Sequence, residues 1–152
     1  MKTAIIYDSI YGNTGKIAEA IAPALDASLV HISAAKKEIL LENDCILIGT
    51  PTHGGRASSA VLSFFKELPA GAWKGKKVAV FSTGIPRDGQ NLFLKFIIRI
   101  LGYADRSTMN MLLAQGAISA GDPVTLMVKD KQGPLLEGEI EKALAWAKAL
   151  TR

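Results

Sequence analysis

Residues 3–21, "TAIIYDSIYGNTGKIAEAI", carry the pattern on which the fold turns. Residues 3–8 form a short apolar, β-rich run closed by a turn signal, the mark of a buried strand. Beyond Thr14, Ile17, Ala18, Ile21, Ala22 and Leu25 recur at helical spacing, and Pro23 bends or ends that helix. Strand and helix are joined by a stretch of hydroxyls and glycine, Ser9 to Thr14. Gly12 permits a tight turn with positive φ, and amides opening a helix attract an anion. Ser9, Asn13 and Thr14 add side-chain donors. On residue chemistry alone, the stretch reads equally as a phosphate cradle or as a plain turn capped by Ser9 or Thr14. It is neither the GxGxxG dinucleotide fingerprint nor the GxxxxGK[ST] loop, and the missing Lys-Ser/Thr pair argues against phosphoryl transfer.

The alternation continues along the chain. Strands are expected at "SLVHISA", "DCILIG" (44–49), "KKVAVFST" (76–83) and "MLLAQGAI". Helices are expected at "SSAVLSFFKEL", with Val61, Phe64, Phe65 and Leu68 on one face, and at "QNLFLKFIIRILGY", with a stripe of Leu92/Phe93, Phe96/Ile97 and Ile100/Leu101. The last helix, "LLEGEIEKALAWAKAL", has Glu137, Glu139 and Glu141 early and Lys142 and Lys148 later, as the helix dipole favours. Wholly apolar strands alternating with amphipathic helices describe a parallel sheet covered on both sides, in one α/β domain over residues 1–152.

Bulk composition narrows the function classes. The 152 residues are 49% hydrophobic and 21% charged, a globular balance. No apolar run is long enough to span a bilayer, and no signal-peptide pattern follows Met1, so a cytoplasmic location is expected. Cys45, the one cysteine, is expected as a reduced core residue. The net charge of +4 comes from scattered basic residues without interleaved aromatics, which speaks against nucleic-acid binding.

In an open α/β sheet, ligands bind beyond the carboxyl ends of the strands. Two further loops occupy that place, "GTPTHGGRASS" (49–59) and "STGIPRDGQN" (82–91). Pro51 stiffens the first, and Gly54 and Gly55 open unusual backbone geometries. His53 offers a flat ring, but no nearby carboxylate orients it as a base, and no second ligand gives metal spacing. No catalytic residue and no metal site are nominated.

Together, "IIYDSIYGNTGKIAEAI", "ILIGTPTHGG" and "VAVFSTG" resemble the three loops of the flavodoxin-like family, in order and over essentially the whole chain. The resemblance implies a three-layer α/β/α sandwich with a five-stranded parallel sheet of order 2-1-3-4-5, and FMN as the cofactor. It places the FMN phosphate at Ser9, Ile10, Tyr11, Gly12, Asn13 and Thr14. The flavin ring falls between Pro51, Thr52, His53 and Gly54 on one side and Ser82, Thr83, Gly84 and Ile85 on the other. His53 matches a position often aromatic, and the His53–Gly54 peptide matches one whose carbonyl turns toward flavin N5, tuning the half-reduced flavin.

Three departures from the family pattern follow. Tyr11 stands where Ser or Thr is common. Ile85, Pro86, Arg87 and Asp88 follow Gly84 without the aromatic that covers the outer flavin face, and the chain is mildly basic where the carriers are acidic. These features are reminiscent of the quinone-linked, protoporphyrinogen-oxidising subgroup, in which the "FLKFIIRIL" helix would meet a membrane surface through Lys95 and Arg99; against that stands the stronger reading of the helix as one that packs on the sheet or contacts a second subunit. The implied function is therefore an FMN electron carrier with a redox partner protein. Alternatives are an oxidoreductase acting on a quinone, porphyrinogen or nicotinamide, and an interaction module that has lost FMN.

Overall fold

The computed structural model describes residues 1–87 and 91–150, with the side chains of Leu94, Ile97, Ile100 and Leu101 left aside. Four strands pair in parallel: β1 (Thr3–Tyr7), β2 (Ser28–His31) at the edge, β3 (Cys45–Pro51) and β4 (Lys77–Gly84). Helices α1 (Asn13–Ile21), α2 (Glu38–Glu42) and α3 (Ser59–Glu67) alternate with them. The C-terminal part adds α4 (Leu92–Leu101), α5 (Ala104–Ala114), β5 (Ile118–Ser119), β6 (Val124–Met127) and α6 (Glu139–Leu150). The order is β2-β1-β3-β4-β5, with β6 also paired to β4, which is the flavodoxin-like arrangement. Between β1 and β3 the winding reverses, so the loops leaving these two strands diverge and open a crevice.

Period-two alternation divides the strands between two cores. Ala4, Ile6, Ile46, Ile48, Val78 and Val80 face one side, where Val61, Phe64 and Phe65 of α3 and Met109 and Leu112 of α5 cover them. Ile5, Leu47, Ala79 and Phe81 face the other, under Ile17, Ala18 and Ile21 of α1 and Ala143 and Ala147 of α6. Residues 4–6 of β1, 45–48 of β3 and 78–81 of β4 are thus buried on one face or the other, as the continuous hydrophobic runs require, whereas Leu29 of β2 and Ile118 of β5 are exposed.

The sheet has six strands, and the expected fifth strand is corrected. Met111 to Ala114 end helix α5, because Ala104, Thr108, Met109 and Leu112 bury one helical face from the preceding turns. The place beside β4 is shared by two short pieces. β5 pairs Ile118 with Lys77, and β6 pairs Val124 with Phe81. Between them Ala120 N–H still donates to the Val78 carbonyl, and the ladder breaks at residues 121–123, where Pro123 has no amide to donate. The short helix α2 and the strand β6 were not expected.

Helix α4 forms as expected, but its stripe does not lie wholly inward. Leu92, Phe93 and Phe96 are exposed, while the expected Ile97, Ile100 and Leu101 positions lie outside the described side chains. No helix among the described residues is long and apolar enough to cross a membrane.

Cys45 begins β3 in the core, and burial holds its thiol above the usual range, with Lys77 opposing. A thiol raised in this way stays neutral through neutral pH, and only the thiolate is nucleophilic. Cys45 is therefore expected to resist a thiol reagent at pH 7 in the native protein and to react stoichiometrically in denaturant. Rapid native labelling, read by mass spectrometry, would show the β1–β3 edge to be open.

Candidate functional site

Beyond the carboxyl ends of β1, β3 and β4 lies a cavity of about 320 Å³. The first loop contributes Ser9, Ile10, Tyr11, Asn13 and Thr14; the second Pro51, Thr52, His53, Gly54 and Gly55; the third Thr83, Gly84 and Ile85. Of the positions read from the sequence, twelve of fourteen meet here. The other two, Gly12 and Ser82, do not line the wall.

The first loop is built to leave donors unspent. Gly12 takes φ 89°, a left-handed conformation that ends the loop and starts α1, with no side chain capping it. Asp8 accepts from the Ser9 amide at 2.9 Å, and the Ser9 hydroxyl accepts from the Gly15 amide at 3.0 Å. Lys16 N–H donates to the Gly12 carbonyl, the first bond of the helix. The amides of residues 10–14 have no acceptor among the described residues. Five successive N–H groups at a helix N-terminus, around one left-handed glycine, form an anion-binding concavity.

Side chains reinforce it. Thr14 Oγ1 and Thr83 Oγ1 lie 2.9 Å apart, and both residues are buried. One shared hydrogen bond uses one hydroxyl proton, so the pair keeps one proton to donate into the cavity. Ser9, whose oxygen accepts from Gly15, also keeps its proton.

The second loop is a tight turn. His53 N–H donates to the Arg56 carbonyl at 2.9 Å, and Arg56 N–H donates to the His53 carbonyl at 3.1 Å. Gly54 and Gly55 between them have φ 56° and 77°, the signs of a type I′ turn. The His53 carbonyl is held by Arg56, whereas the Gly54 carbonyl has no partner among the described residues. The central peptide of the turn, Gly54–Gly55, has glycine on both sides. Its flanks are pinned: Thr52 N–H donates to the Thr83 carbonyl, and the Ser107 hydroxyl donates to the Gly55 carbonyl at 2.8 Å.

The third loop is fixed from beneath. Ser82 is fully buried and donates to Asp105 Oδ1 at 3.1 Å, as does Thr125 at 2.8 Å. Asp105 sits in the first turn of α5, where the helix dipole favours its charge. Ser82 thereby ties β4 to α5 and β6 instead of reaching the cavity.

Sequence reading missed Gly55, Ile98, Gly102, Tyr103, Val128 and Lys131, all of which line the wall. Tyr103 bears on the missing outer aromatic. Its hydroxyl donates to the Ile85 carbonyl at 2.7 Å, and a Cβ on Gly84 would come within 2.7 Å of its ring. An aromatic therefore meets the third loop from the start of α5, not from the loop itself. Lys131 adds a cation, in a segment tied back to the first loop by Asn13 Nδ2 donating to the Gln132 carbonyl at 3.2 Å. Nothing local in the sequence marks a partner 119 positions away.

Comparison with known proteins decides the family. Residues 4–96 match the model of the flavodoxin domain. The chain belongs to the flavodoxin family. It is 29% identical over 140 residues to a flavodoxin of Aquifex aeolicus, covering 80% of this chain and 76% of that one. A flavodoxin of Clostridium saccharobutylicum is 27% identical over 150 residues, covering 94% and 91%. Among solved structures, oxidised flavodoxin 2 from Bacillus cereus superposes with a TM-score of 0.74 at 26% identity, covering 99% and 98%. The family cofactor is FMN, held without a covalent bond, and the relatives support a flavin electron carrier. The cavity fits that group: free amides and hydroxyls for a phosphate, and a largely apolar wall for a planar ring.

Proposed function

We propose that this chain, acting as one domain over residues 1–152, carries electrons between proteins through FMN bound in this cavity. The observation that carries the reading is the run of five amides, residues 10–14, without an acceptor among the described residues at the N-terminus of α1. They hold the phosphate, the hydroxyls of Ser9 and of the Thr14–Thr83 pair donate to it, and Lys131 offsets its charge. Tyr11 enters this arrangement through its backbone amide, so the lost hydroxyl at that position does not remove a contact from the peptide chain.

Pro51, Thr52, His53 and Gly54 form the second-loop wall of the ring site, and Thr83, Gly84, Ile85 and Tyr103 form the opposite one. When bound, FMN supplies the redox chemistry by accepting and releasing electrons. The protein orients the ring and sets the polarity around it, and the Gly54–Gly55 peptide presents a carbonyl whose direction can change at small backbone cost. No side chain is assigned as acid or base.

The phosphate cradle is tested by titrating the apoprotein with FMN and with riboflavin, following flavin fluorescence. FMN is expected to bind one per chain and at least about a hundredfold more tightly than riboflavin, since several charge-assisted hydrogen bonds are lost with the phosphate. Equal affinities would overturn the cradle, and a protein that binds neither would be the interaction module.

A further inference from the structure

Helix α4 borders the cavity through Ile98, yet turns an apolar face to solvent. Leu92, Phe93 and Phe96 are 87, 75 and 58% exposed. Leu92 and Phe93 precede Phe96 by four and three residues, so the three share one helical face. On the first loop, Ile10 and Tyr11 are also exposed while lining the cavity. Apolar surface therefore approaches the cavity mouth from two separate elements, a grouping that marks an interaction site.

The exposed charged groups nearby are mostly cationic. Arg99 lies three residues beyond Phe96 on the same face, with Lys95 beside it on α4. Arg87 follows the third loop and Arg56 closes the second, both exposed. None of these four cations makes a salt bridge among the described residues. The carboxylates near the cavity do not offset them: Asp8 and Asp105 are buried and accept hydrogen bonds, which leaves Asp130 exposed. Asp88 lies outside the described residues.

We propose that this face docks a redox protein whose contact surface is an apolar patch rimmed by carboxylates. The proposal rests on the electron-carrier reading. Apolar centre and charged rim match the anatomy of protein interfaces, and the cationic excess of the rim selects an acidic partner and steers its approach. A second copy of this chain would set cations against cations. A bilayer fits less well, because Arg99 interrupts the apolar face itself, whereas a partner carboxylate can pair with it.

The test uses the FMN-loaded protein, reduced and mixed in stopped flow with an acidic b-type haem domain or a basic c-type cytochrome. Each electron leaving the reduced flavin converts one ferric haem to ferrous. With the acidic haem domain, the second-order rate constant is expected to fall at least about tenfold between about 10 and 200 mM salt. With the basic cytochrome it should not fall. Arg99→Glu should slow the acidic partner about tenfold at low salt and flatten its salt dependence. Phe96→Ser should slow it several-fold with the salt dependence kept, and neither change should alter FMN affinity.

Salt-independent rates, equal for both haem proteins, would overturn the proposal. So would co-sedimentation with phosphatidylserine vesicles that Arg99→Glu abolishes, which makes the face a membrane contact. A dimer in sedimentation velocity that Phe96→Ser dissociates makes it a self-contact instead. Failure to load FMN, seen first in the titration, overturns the carrier reading and this docking surface with it.

Discussion

Thr14→Leu is expected to raise the FMN dissociation constant about a hundredfold or more, while Lys16→Ala changes it by less than about threefold. Thr14 is 1% exposed, and its hydroxyl shares a proton with Thr83 across the cavity. Leucine removes the hydroxyl and leaves that of Thr83 buried without its partner, which costs about 1–3 kcal/mol. It also adds a branched carbon chain where a phosphate must sit against the helix N-terminus. Losing about 3 kcal/mol corresponds to roughly a hundredfold in affinity. Lys16 is exposed one turn into α1, and its amide is already bound to the Gly12 carbonyl. Fluorescence titration of both variants gives the comparison. Equal dissociation constants for wild type and Thr14→Leu would sink the assignment of Thr14 to the phosphate site. Thr14→Ser, which keeps the hydroxyl, should restore most of the affinity.

Gly49→Ala is expected to be the most damaging single-methyl change to the fold, costing about 3 kcal/mol. Gly49 lies in β3 at the sheet centre, paired with Tyr7 on one side and Phe81 on the other. A Cβ there would fall 2.6 Å from Phe81 Cε2 and 3.0 Å from Cε1, inside contact distance. Phe81 cannot yield easily. It is fully buried, and the indole of Trp146 on α6 meets it edge-on at 6.0 Å. The loss should appear as a drop of about 1.5 M in the urea midpoint at an m-value near 2 kcal/mol/M. Gly71→Ala is the control: its φ of 79° strains the backbone, but its Cβ meets nothing within 4 Å. Its cost should stay near 1 kcal/mol. Identical midpoints for the two variants would show that the Gly49–Phe81 approach does not limit the fold. Phe81→Leu combined with Gly49→Ala should recover part of the loss, since it withdraws the ring edge.

The strands and helices that built the crevice were legible because each repeats a short-range signal. Apolar runs of residues 3–8 and 44–49 read as buried strands, and Ile17, Ala18 and Ile21 read as one helical face. The structure turns the first run inward on both faces at Ile5 and Ile6, into different cores. The fifth strand misled because Met111, Leu112 and Leu113 are apolar enough for either element. Only the burial of Ala104 and Thr108 in preceding turns marks that run as the end of a helix. The α4 stripe misled in another way. Helical spacing reveals an apolar face without saying what covers it, and Leu92, Phe93 and Phe96 remain uncovered among the described residues.

At the site, residue chemistry alone left Ser9 to Thr14 divided between a cradle and a capped turn. The capped turn required a side chain bonding the first helical amides. In the structure Ser9 does cap one first-turn amide, that of Gly15, while Thr14 turns to Thr83 and the amides of residues 10–14 have no acceptor among the described residues, so the loop is a capped turn that still keeps its donors. The turning peptide shows the same limit. Two adjacent glycines announced a flexible turn, but only the paired hydrogen bonds of His53 and Arg56 moved the free carbonyl to Gly54.

Local chemistry, then, was enough to specify which loops carry donors, glycine and proline, and that these loops leave the strands of a parallel sheet. It could do so because side-chain alternation, helical spacing and turn chemistry act over a few residues. Tertiary structure alone decided that Tyr103 meets the third loop, that Gln132 closes on Asn13 beside Lys131 at the cavity wall, and that Ser82 points to Asp105 instead of the cavity. Those contacts join groups between 18 and 119 positions apart. No short-range preference encodes them; the packing of helices on the sheet brings them together.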